Sequence, residues 1–89
     1  MKTRKNFVLK EVCGEYIIIS EGEENIDFTK IISMNESSAY LWNSVQDQEF
    51  TTETLAQKLV EEYDIDKETA LRDATLLASQ WLKSGIVEE

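Results

Sequence analysis

Histidine is missing from this 89-residue chain, cysteine occurs once, and glycine only three times. Without histidine there is no Ser-His or Cys-His catalysis and no histidine-containing metal site. Cys13 has no partner for an internal disulfide, which fits a reducing compartment and points to the cytoplasm. Three scattered glycines cannot build a phosphate-cradling loop. No apolar run approaches the roughly 20 residues of a membrane span, and the basic N-terminus is not followed by a signal-peptide apolar segment.

Positive charge is also scarce. Nine Lys and Arg face eighteen Asp and Glu, for a net charge of −9. Lys2, Arg4, Lys5 and Lys10 supply four of those cations within the first ten residues, so the rest of the chain is more acidic still. Nucleic-acid binding depends on neutralising phosphates, and an acidic body repels them; nucleic acid is not an expected partner. The basic N-terminus reads as a solvated tail.

The residues that are present describe one folded domain covering 1–89, with 42% hydrophobic and 30% charged residues. Phe7 to Val12 and Glu15 to Ser20 are β-rich runs separated by the pair Cys13-Gly14, the pattern of a tight hairpin. That loop places Val12 opposite Glu15 and Leu9 opposite Ile18. Phe7, Leu9, Tyr16 and Ile18 then share one face, while Val8, Val12, Ile17 and Ile19 share the other. Glu21 to Asn25 reads as a loop, and a third strand begins as early as Ile26 and ends at Met34.

Helices follow without a linker. Asn35 is a good N-cap for a helix over about Glu36 to Gln46, with Ser38, Leu41, Trp42 and Val45 on its apolar face. Thr51 caps a second helix, with Phe50 and Leu55 as a hydrophobic staple and a stripe of Leu55, Ala56, Leu59, Val60 and Tyr63. Asp66 caps a third, whose stripe is Ala70, Leu71, Ala74, Leu77, Ala78, Trp81 and Leu82. Gly85 stops it, and Ile86 and Val87 pack back. The fold class is therefore α+β: a three-stranded antiparallel sheet followed by three helices, winged-helix-like.

The order of these segments resembles the PqqD-like proteins, also called RiPP recognition elements. The resemblance rests on an apolar strand ending in Met34-Asn35-Glu36, a small-residue helix turn at Ser37-Ser38, and then Leu41-Trp42. The hairpin with Gly14-Glu15 at its turn, the Thr-x-x-x-Leu helix start and the Glu-Tyr-Asp-Ile-Asp connector extend it. So does the terminal Leu-x-x-x-Gly-Ile-Val. The family pattern has Leu where Met34 stands, and more often Thr and Ala where Ser37 and Ser38 stand. It implies a stand-alone element that binds the leader of a ribosomally made precursor peptide as an added strand and presents it to a modifying enzyme such as a radical SAM maturase.

The residues themselves are compatible with that role. The carboxylate pairs read as solvated, the Asp64 to Glu68 segment lacks the glycine and far ligand of a calcium loop, and no cofactor is implied; the chain reads as a non-enzyme. Lys67, Arg72 and Lys83 on the last helix are interleaved with Glu68 and Asp73, which is wrong for a DNA-reading helix. The third strand carries no proline or charge between Ile31 and Met34, so its edge can template a further strand. Leu76 falls off the core stripe of the third helix, beside Asp73, Leu77 and Gln80. The resemblance implies a groove between the third strand and the third helix, and so puts the expected peptide-binding residues at Lys30, Ile31, Ile32, Ser33, Met34, Asp73, Leu76, Leu77 and Gln80, with Tyr40 a weaker candidate. Two other readings fit the same composition: an acidic winged-helix regulator or DNA mimic, and a structural subunit that forms a homodimer through its two-faced sheet.

Overall fold

A computed structural model of the protein describes residues 1–20 and 31–89. Its elements in chain order are β1 (Lys2–Thr3), β2 (Phe7–Val12), β3 (Glu15–Ser20), β4 (Ile32–Met34), α1 (Glu36–Val45), α2 (Thr52–Glu62), α3 (Lys67–Ser84) and β5 (Val87–Glu88). β2, β3 and β4 form an antiparallel sheet in that order, and β1 pairs with β5 in a separate antiparallel ribbon. The expected loop at Glu21 to Asn25 and the early start of the third strand lie outside the described residues. The strand ends at Met34, as read from the sequence.

The β2–β3 hairpin has the expected register, with Val12 opposite Glu15 and Leu9 opposite Ile18. Both loop residues take positive φ, 53° at Cys13 and 81° at Gly14. This is the backbone of a type I′ turn, whose twist matches that of the strands it joins. Ile18 is fully buried, and Phe7, Leu9 and Tyr16 on the same face pack against the core. Val8, Ile17 and Ile19 on the opposite face are half-buried.

Asn35 caps α1 by accepting from the Ser38 N–H at 2.8 Å, and the Ser37 hydroxyl donates to the same oxygen at 3.1 Å. The buried face of α1 is Ser38, Ala39, Leu41, Trp42 and Val45. The rings of Trp42 and Trp81 meet edge to face at 5.4 Å, and Phe50 meets Trp81 in the same way at 6.2 Å. Such pairs contribute about 0.5–1.5 kcal/mol each beyond the area they bury. They fasten α1 and the α1–α2 connection to α3. The Trp42 indole N–H is buried with no hydrogen-bond partner among the described residues.

α2 opens with a capping box in which threonine stands where glutamate is usual. Thr54 N–H donates to the Thr51 hydroxyl at 3.2 Å, and Thr51 N–H donates to the Thr54 hydroxyl at 3.1 Å. Phe50 and Leu55, the staple pair, are both buried. Asp66 precedes α3 without a hydrogen bond of cap geometry. Its carboxylate nonetheless lies near the Thr69 hydroxyl and backbone N–H, which hold its pKa below the ordinary value. Ala70, Ala74 and Ala78 place small side chains along the buried face of α3, so α2 packs closely along it. Gly85 ends α3 in the left-handed conformation, and the Ile86 N–H returns to the Trp81 carbonyl.

Two sequence expectations are corrected. Leu71, placed on the α3 core stripe, is 46% exposed, because the buried face is centred on the alanines and Trp81. The N-terminus is not a free tail. Lys2 and Thr3 pair with Glu88 and Val87, the Arg4 N–H donates to the Ile86 carbonyl at 3.0 Å, and Thr3 is buried. Met1 also exchanges backbone hydrogen bonds with Phe50, its amino group and carbonyl both engaged.

Candidate functional site

β4 lies at the edge of the three-stranded sheet, with β3 on one side and no strand on the other among the described residues. Alternation along the strand sets its side chains. Ile32 packs half-buried against the core and Met34 is buried, while Ser33 and the preceding Ile31 are exposed. The inward pair anchors the strand, and its outer row of backbone N–H and C=O groups faces no strand among the described residues. Lys30, expected at the start of this edge, lies outside the described residues.

The chain turns from β4 into α1 at Asn35, and beside that joint opens a cavity of about 320 Å³. Asp73, Leu76, Leu77 and Gln80, the four α3 residues expected at the site, all line it. These positions recur at three- and four-residue steps and so share one face of the helix. Leu41 of α1 and Leu59 of α2 complete its apolar part, and Asn35, Ser37 and Ser38 line it from the first turn of α1. A second, more open depression of about 660 Å³ is lined by Gly14, Glu15, Tyr16, Ser33, Met34, Asn35 and Glu36. Asn35 belongs to both, so the two meet where the strand passes into the helix.

The four α3 residues named from the sequence thus share one cavity, while its α1 side was not named. Ser37 and Ser38 carried a signal, since small residues in the first turn of a helix beside an open strand leave room for a ligand. Leu41 and Leu59 carried none, because each also fits a core stripe. Ile31, Ile32 and Ser33 are on the strand side and do not line the cavity. Tyr40 is half-buried and meets Tyr63 edge to face at 6.1 Å. It does not line the cavity. Burial raises the Tyr63 pKa, with the carboxylates of Glu36 and Glu62 adding to the effect.

Among the described residues no group of three or more His, Cys, Asp or Glu side chains is placed to hold a metal ion. No helix there is long and apolar enough to cross a membrane.

Comparison with curated protein sequences finds no match. Among solved structures, the chain is similar to TbiB1 in complex with the TbiA(beta) leader peptide, with a TM-score of 0.73 at 15% identity, covering 99% of this chain and 95% of that one. At that identity the likeness is one of fold. It covers both sheets and all three helices. The family model of coenzyme PQQ synthesis protein D matches residues 15–87, a span that takes in β3, β4, the three helices and every residue lining the cavity, and the chain belongs to the PqqD family.

Proposed function

We propose that this protein is a RiPP recognition element: it binds the leader of a ribosomally made precursor peptide and presents it to a modifying enzyme, a radical SAM maturase or another, in the cytoplasm. The leader adds a strand to the outer edge of β4 and places side chains in the cavity walled by α3. The observation that carries this reading is the juxtaposition of a strand edge unpaired among the described residues with a cavity lined by Asp73, Leu76, Leu77 and Gln80. The fold is that of a structure solved with a leader peptide, which supports the same conclusion. Backbone hydrogen bonds supply affinity without regard to sequence, and the cavity supplies selection. No chemistry is needed from the protein itself. Holding the leader raises the effective concentration of the attached core peptide at the enzyme's active site.

Titration calorimetry against synthetic leaders of the short precursors encoded beside the gene tests the proposal. We expect binding that is lost when the leader is truncated. Methylating the leader's backbone nitrogens one at a time should then weaken binding at alternate positions, about tenfold for each hydrogen bond removed. A flat profile would rule out strand addition.

A further inference from the structure

Resting on that reading, we infer that the cavity selects a two-part signature in the leader: an aliphatic side chain, and beside it a lysine or arginine that pairs with Asp73. Leu41, Leu59 and Leu77 form apolar lining suited to the first element. The second follows from the α3 face. Asp73 and Leu76 are three residues apart and therefore neighbours on the helix surface. Leu76 is 59% exposed, an apolar surface beside a carboxylate. Lysine and arginine lay their carbon stems along such surface while the charged head reaches an acid. Among the described residues nothing donates to the Asp73 carboxylate: the preceding Arg72 pairs instead with Glu68, at 3.9 Å on the turn before.

The opposite wall does not favour an acidic ligand in its place. The first turn of α1 is already capped by the Asn35 side chain and carries the charge of Glu36, which together offset its positive end. The net charge of −9 acts in the same direction at long range. A volume of about 320 Å³ is at the lower end for a binding pocket, sized for one or two side chains rather than a longer segment.

The test is a double-mutant cycle. Overlapping synthetic peptides tiling the short reading frames beside the gene are titrated against the protein, and the tightest binder is remade with each Lys or Arg changed to Gln. These peptides are measured on the wild type and on Asp73→Asn, an exposed helix substitution whose folding is checked by circular dichroism. One Lys→Gln or Arg→Gln change should weaken binding to the wild type about fivefold, the upper range for an exposed ion pair. The same change should have no effect on Asp73→Asn. If peptides bind but every basic residue gives equal losses on both proteins, the pairing with Asp73 is overturned while leader recognition stands. If no peptide binds the folded protein, leader recognition fails and this inference with it.

Discussion

Cys13 holds a φ of 53°, in the left-handed region that residues other than glycine, asparagine and aspartate rarely occupy. Its thiol is free and exposed. Asn-Gly is the pair that type I′ turns favour most. Cys13→Asn should therefore stabilise the protein, by about 0.5 kcal/mol, seen as a higher urea midpoint with unchanged slope. At this scale the sequence is most readable where chemistry is short-range. Asn35, Thr51 and Gly85 announce their helix ends because a cap concerns only the next few residues. The two-residue hairpin loop was equally clear, although the strain at Cys13 was hidden behind the glycine that follows it. The unpartnered indole of Trp42 could not be read at all, since it depends on what surrounds the ring in three dimensions.

Among the elements, β1 and β5 are the ones the sequence conceals. Each has two residues, too few for alternation to show, and their pairing joins opposite ends of the chain. Yet the ribbon buries Thr3 and Val87 and satisfies the Arg4 and Ile86 backbone groups. Deleting residues 1–5 should cost at least about 2 kcal/mol, from several hydrogen bonds of about 1 kcal/mol each and newly exposed apolar surface. Thermal unfolding by circular dichroism would show this as a fall in Tm. A drop within experimental scatter would mean that the ribbon is dispensable. The helices were legible in extent because their period is long and clean. The assignment of Leu71 to the core failed because apolar residues flank the α3 stripe on both sides, and period alone cannot place the centre of a wide stripe.

For the molecule as a whole, charge is the property that acts beyond contact. An acidic domain attracts a basic leader, and salt screens that attraction over about 10 Å at ~0.1 M. Leader affinity should fall as sodium chloride is raised, with the change mainly in the association rate, measurable by stopped-flow fluorescence from Trp42 and Trp81. Affinity that rises with salt would show that apolar burial alone drives binding. The candidate site was half legible in the sequence. Leu76 stood out as a leucine off its stripe once the resemblance implied a groove against the third helix, while Leu41 and Leu59 are buried in the core as well as lining the cavity and so look like core alone.

The β1–β5 ribbon has one more implication. Lys2 lies directly opposite Glu88, and backbones so paired are about 5 Å apart. Residues 2 and 88 therefore lie side by side. A host protein could carry this domain in one of its loops with little stretching of its own backbone, and a short peptide bridge would close the chain into a ring.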